Sequence, residues 1–162
     1  MPHEWKISLQ LKPTKDIESW KGLDNNVIFL TTGYYWEKPR PPRVYLGRHG
    51  VFKIWYGVNN KAFALKFLES ASLKLKKGEW VELEMSQEMK DGKLLYRVKI
   101  DGAEKYSVEN KTPKIFQNVK LITGFDRAPC FKKKCVAPPF KGSIRELSVK
   151  IKKDDAYMQM TG

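Results

Sequence analysis

The sequence predicts an all-β protein whose antiparallel sheets pack as a β-sandwich or jelly roll. Helix-period patterning is scarce, and most apolar residues alternate or come in short runs of strand length. About ten to twelve such segments are separated by Gly, Pro, Asn and Asp, without the helical crossovers that parallel sheets need.

The first segment, EWKISLQLK, sets Trp5, Ile7, Leu9 and Leu11 on one face and Lys6, Ser8, Gln10 and Lys12 on the other, until Pro13 ends it. A short connector, DIESWKGL, is the one candidate helix and amounts to a turn or two. NVIFLTT is a more apolar run suited to a buried strand. PRVYLG and GVFKIWYGV follow, split by the turn residues GRHG. AFALKFL alternates Phe63, Leu65 and Phe67. In GEWVELEMSQEMKDGKLLYRVKIDG, Val81, Leu83 and Met85 oppose Glu82, Glu84 and Ser86. Asp91-Gly92 then makes a hairpin turn suited to positive φ, and Tyr96, Val98 and Ile100 return along the partner strand. EKYSVEN, NVKLITG and SIRELSVKI complete the set, the last with Leu147, Val149 and Ile151 on one face. Residues 1–153 read as a single domain, and 154–162 as a tail in which the alternation lapses.

The 162 residues suffice for one domain with its own core. A 41% hydrophobic and 12% aromatic content excludes a disordered chain. No apolar run approaches the length that crosses a bilayer, and MPHEWKIS lacks the apolar stretch of a signal peptide, as the mature form of a secreted protein would. With 31 Lys and Arg against 18 Asp and Glu, the net charge is +13, which favours polyanionic partners over neutral ones. Cys130 and Cys135, in APCFKKKCVAPPF, are spaced wrongly for a zinc knuckle and have no paired His to complete one. Their polar, Pro-flanked loop favours a local disulfide over two idle thiols, and with it an oxidising compartment.

Catalytic patterns are missing. His3 lies at the start of the chain, His49 sits between turn glycines, and no phosphate loop, nucleophile elbow or metal-binding His pair occurs. Glu82 and Glu84 share a face and could suggest a glycosidase pair, but they fit the solvent face of an amphipathic strand better. The expectation is a protein that is not an enzyme and needs no cofactor.

The second half of the chain resembles the laminin G-like, concanavalin A-like jelly rolls. Four pieces carry the resemblance in order: GEWVEL from Gly78, VKIDG ending at Gly102, VKLITG from Val119 to Gly124, and FKGSIREL from Phe140 to Leu147. The resemblance implies a concanavalin A/laminin G-like sandwich, an extracellular setting and a core position for Trp80. Ser143 stands where laminin G domains usually carry a Cys, so this is not a standard laminin G module. That family's calcium site uses acidic side chains at one rim; only Asp126 is placed to contribute, and no metal is expected.

The binding candidates are basic and aromatic. Tyr34, Trp36, Arg40, Arg43, Arg48 and His49 lie in TTGYYWEKPRPPRVYLGRHG; Lys132, Lys133 and Lys134 lie between the cysteines. Lys141 begins a third cluster with Arg145, Lys150, Lys152 and Lys153. Alternation puts Tyr34 and Trp36 on one face and Tyr35 on the other. Such aromatics more commonly pack beneath a Pro-rich loop, whereas an exposed Trp36 beside Arg40 would stack on a sugar. If the first two clusters shared one rim, they would attract sulfate or carboxylate groups. The expected function is therefore a non-enzymatic extracellular binding or adhesion module for anionic glycans. A protein-interaction module of an extracellular assembly is the alternative, ahead of a nucleic-acid binder or a glycan-active enzyme.

Overall fold

The computed structural model describes residues 3–14, 26–31, 43–46, 52–56, 59, 64–68, 76–113, 115, 121–123, 142–153 and 156–160, with side chains for 3–14, 59, 76–113, 115 and 142–152. Every regular element among them is a strand: β1 (Trp5–Pro13), β2 (Asn26–Thr31), β3 (Arg43–Leu46), β4 (Phe52–Tyr56), β5 (Ala64–Leu68), β6 (Val81–Lys90), β7 (Lys93–Ile100), β8 (Ala103–Glu109), β9 (Leu121–Thr123), β10 (Gly142–Lys153) and β11 (Ala156–Met160). No helix among the described residues is long and apolar enough to cross a membrane.

All pairings are antiparallel, in a six-stranded sheet ordered β11-β10-β1-β6-β7-β8 and a five-stranded sheet ordered β5-β4-β3-β2-β9. This is the expected β-sandwich of jelly-roll type. The alternation that marked β1 sets its register. Trp5, Ile7 and Leu9 face Gln87, Met85 and Leu83 of β6, and these face Tyr96, Val98 and Ile100 of β7. The three rows form one buried face, apolar but for Gln87, with Trp5, Ile7, Leu9, Leu83 and Met85 at most 1% exposed. Trp5 and Tyr96 lie with ring centroids 6.1 Å apart, and Tyr106 of β8 meets Tyr96 edge-on at the same separation. Burial pushes the Tyr106 phenol above its ordinary pKa.

Two turns close the β6-β7-β8 meander. Asp91-Gly92 has φ values of 50° and 72°, as the sequence predicts, and Asp101-Gly102 repeats the device at 48° and 76°. The Asp101 carboxylate accepts from the Glu82 N–H at 2.9 Å, while the Asp101 N–H donates to the Glu82 carbonyl at 3.0 Å.

A polar clasp ties the end of β8 to the segment following β4. Asn110 Nδ2 donates to Gln87 Oε1 at 2.8 Å, inside the sandwich, and Gln87 Nε2 donates to the His3 carbonyl at 2.6 Å. Asn59, held at φ 54°, donates from Nδ2 to the Glu109 carbonyl and from its N–H to Asn110 Oδ1, and accepts from the Lys111 N–H. Two buried amides thus satisfy one another where an apolar pair would leave backbone groups unmet.

Two local features depart from expectation. The residues beyond 153, expected as a tail, include β11, whose Met158 and Met160 lie opposite Ile151 and Val149. Strict alternation in β10 is broken by a bulge. Leu11 faces Ile144 and Gln10 faces Arg145, but Ser8 faces Ser148, so one extra residue is taken up between them. Glu146, at φ 53°, absorbs it. Leu147, expected inward with Val149 and Ile151, is 39% exposed there.

Candidate functional site

The outer face of the six-stranded sheet carries a charge lattice set by register. Both carboxylate oxygens of Glu84 are engaged, by Lys6 Nζ at 2.7 Å and Lys99 Nζ at 3.5 Å. Arg97 binds Glu88 at 3.1 Å, and Lys152 binds Glu4 at 3.1 Å. Glu82 and Glu84 therefore lie in the wall of the sheet, where Glu84 presents no free edge of the kind a general base uses. These half-buried pairs leave the middle of the face nearly neutral.

Trp80 breaks that pattern and corrects an expectation. The resemblance implies a core Trp80, yet its indole is only partly buried and meets two cations: Arg145 Cζ at 3.8 Å and Lys12 Nζ at 4.9 Å from the ring centroid. Parity is the physical reason. Val81 pairs with Leu11 of the core face, so the preceding residue points to the other side, where Lys12 and Arg145 also lie. Trp5 takes the core role instead. Arg145 Nε donates to Gln10 Oε1 at 2.8 Å, which fixes the guanidinium beside the ring.

Of the candidates named from sequence, Tyr34, Trp36, Arg40, Arg48, His49, Lys132, Lys133, Lys134, Lys141, Cys130 and Cys135 lie outside the described residues, as do Asp126 and the segment DIESWKGL. Arg43 opens β3, its Cα opposite Leu30 and Trp55; its side chain is outside the described set.

The strands nevertheless fix where each connection attaches. Thr31 and Arg43, which bracket 32–42, end β2 and start β3 at one end of the five-stranded sheet. Leu46 and Phe52, which bracket 47–51, lie at the opposite end, as does Thr123, where β9 stops and 124–141 begins. The connection carrying Tyr34, Trp36 and Arg40 and those carrying Arg48, His49 and Lys132–Lys134 thus attach at opposite ends of the five-stranded sheet, so a single shared rim does not follow from the topology. In the six-stranded sheet, Pro13 and Gly142 are paired, and Gly78 donates to the Pro13 carbonyl at 2.9 Å. Lys12, Trp80, Arg145 and the start of β10 beside Lys141 therefore lie at one end of that sheet. This is the end from which the chain crosses over to β2 and to which it returns from β9.

Sequence reasoning grouped Arg145 with the basic residues of the last strand but missed its pairing with Trp80 and Lys12. The available signal was the same alternation that identified β6, which already puts Trp80 on the face of Glu82 and Glu84.

Comparison with protein-family models gives no match, and comparison with curated proteins gives none either. Solved structures do match. A heptameric SAP-like pentraxin from Limulus polyphemus aligns with a TM-score of 0.57 at 13% identity, over 91% of this chain and 63% of its own. A candidate carbohydrate-binding protein from Bacteroides ovatus aligns with a TM-score of 0.60 at 15% identity, over 91% of this chain and 37% of its own. The CBM40 of the Ruminococcus gnavus IT-sialidase, bound to α2,3-sialyllactose, aligns with a TM-score of 0.59 at 15% identity, over 91% of this chain and 75% of its own. The chain thus spans less than two thirds of the first two. At these identities the likeness establishes the fold, an antiparallel β-sandwich of jelly-roll type, and no more.

Proposed function

We propose that the chain is a non-catalytic glycan-binding module that takes anionic saccharides at the end of the sandwich where β3 passes to β4 and β9 passes to β10. The observation that carries this reading is the attachment of two basic connections, 47–51 with Arg48 and His49 and 124–141 with Lys132–Lys134 and Lys141, at the same end of the five-stranded sheet. A net charge of +13 strengthens the field there. Two of the similar structures are described as a candidate carbohydrate-binding protein and as a module bound to sialyllactose, a saccharide with a carboxylate, which supports the class of ligand. The connection that carries Tyr34, Trp36 and Arg40 attaches at the opposite end, between Thr31 and Arg43, and would act as a separate contact. A bond between Cys130 and Cys135 would hold the lysines in a fixed presentation, in keeping with an extracellular setting. It predicts a two-dalton gain in intact mass on reduction, as expected for one disulfide.

The test is a glycan array followed by titration of a sulfated oligosaccharide at several salt concentrations. Replacing Lys132–Lys134 with Ser should weaken binding and flatten its salt dependence, because fewer counterions are released. Array-wide silence with elution from heparin at ordinary cation-exchange salt would overturn the reading. Binding to a protein partner that survives the same substitutions would point to an interaction module instead.

A further inference from the structure

We infer that Arg145, set over the Trp80 ring and held by Gln10, forms an oxyanion subsite for a single sulfate or carboxylate group on an otherwise neutral saccharide. The inference rests on the glycan-binding reading but adds a site on the outer sheet face, built from strand residues at the end where the 124–141 connection rejoins β10.

The bulge in β10 puts the guanidinium there. Counting back from Val149 by strict alternation would place Arg145 on the core face with Leu147. The extra residue returns it to the outer face, opposite Gln10. The conformation needed is a left-handed one, adopted by Glu146 rather than by a glycine, and such strained positions gather at functional sites.

The guanidinium is then engaged by the Trp80 ring and at Nε, with its outer edge open. Its Cζ lies over the Trp80 ring, 3.8 Å from the centroid, and Nε donates to Gln10 Oε1 at 2.8 Å. Among the described residues no side chain or backbone group bonds the two Nη atoms, which form the outer edge of the fork. That edge is the geometry that grips carboxylate and sulfate through two parallel hydrogen bonds. The Arg145 side chain is 50% exposed, so the edge is reachable. Lys12 adds a second positive charge at the same indole. Among the described residues the carboxylate within 4.0 Å of Arg145 is Glu146, itself 64% exposed, and Glu82 lies one strand further on, opposite Gln10.

The surroundings decide the ligand class. Elsewhere on the face Lys6, Lys99, Arg97 and Lys152 are paired with carboxylates, and Glu84 and Glu88 lie among them. A continuous polyphosphate backbone laid across this face would meet those carboxylates. A sugar with one isolated anionic group, its ring against the partly exposed indole, would not.

The experiment titrates the full chain with three disaccharides alike in size: one sulfated, one carrying a uronate and one neutral. Calorimetry gives the affinity, and the Trp80 indole N–H resonance reports occupancy. R145K keeps the charge and loses the fork, so it should weaken binding of the sulfated or uronate probe by at least about tenfold. K150A removes an exposed charge from the same strand and should change it by less than about twofold. E146Q, which removes the competing carboxylate, should tighten binding, so the site remains testable if R145K folds poorly. Whichever anionic probe binds names the group, and the neutral probe should bind weakly. Equal small losses in R145K and K150A would overturn the subsite in favour of a diffuse field. Undiminished binding in R145K, with loss on replacing Lys132–Lys134, would overturn the subsite while leaving the glycan-binding reading intact. Absence of binding by the wild-type chain to any saccharide would overturn both.

Discussion

Asn110→Ala should destabilise the protein more than its position at a strand end would suggest. Asn110 is 3% exposed and serves three partners: its Nδ2 donates to Gln87 Oε1 at 2.8 Å, and its Oδ1 accepts from the Asn59 and Thr112 N–H groups at 3.3 Å each. Truncation takes a donor from a fully buried amide, which costs about 1–3 kcal/mol. Losing the two longer bonds to partly exposed groups adds about 1 kcal/mol, for a total of about 2–4 kcal/mol. For a chain of this size that corresponds to a fall in Tm of roughly 5–12 °C. Urea unfolding monitored by tryptophan fluorescence gives the free energy, and a double-mutant cycle with Gln87→Ala gives the coupling, expected to be about 1 kcal/mol or more. Asn110→Asp should cost at least as much, because a carboxylate cannot donate to Gln87 Oε1. A loss below about 0.5 kcal/mol for Asn110→Ala, or strict additivity in the cycle, would refute the claim that these amides form one buried unit.

Trp5→Ala should cost about 3–5 kcal/mol, whereas Trp80→Ala should cost about 1 kcal/mol because its indole lies on the outer face; parallel denaturant curves compare them. Glu146→Gly should raise stability by about 1 kcal/mol by removing the Cβ from a left-handed position, read as a higher urea midpoint with unchanged slope. Burial raises the Tyr106 pKa, so the folded state holds its phenolic proton more tightly than the unfolded chain. Stability from this source is complete below the ordinary value of 10.0 and is lost as pH rises through the folded value. Tyr106→Phe should soften that alkaline decline in Tm.

The fold was legible because the deciding signal is local. Trp5 to Leu11 and Tyr96 to Ile100 alternate without interruption, and Asp91-Gly92 marks its turn by residue type. Trp80 shows what happens when resemblance is weighed above parity: its own neighbours Val81 and Glu82 already gave its side. The β10 bulge was hidden for a different reason. A one-residue insertion leaves composition unchanged and is visible only once Ser8 and Gln10 have been matched to their partners. β11 was missed because Ala156, Met158 and Met160 lack the β-branched and aromatic character that marks strands. The grouping of the basic connections was out of reach for sequence, since an end of the sandwich is defined by registers between strands far apart in the chain.

The position of β1 in the sheet also has a consequence for the order of assembly. β1 lies between β6 and β10, with Trp5 opposite both Gln87 and Ile151. During synthesis the first strand to emerge must wait for partners made much later, while β6, β7 and β8 can zip through two tight hairpins as they appear. Loop closure over such separations makes β1 docking slow relative to hairpin formation. A nascent chain halted after β8 would hold β1 with its β10 side unpaired, offering an open edge to neighbouring chains. Translation pauses before β10 should therefore lower the soluble yield, and coexpressed β10–β11 peptide should restore part of it.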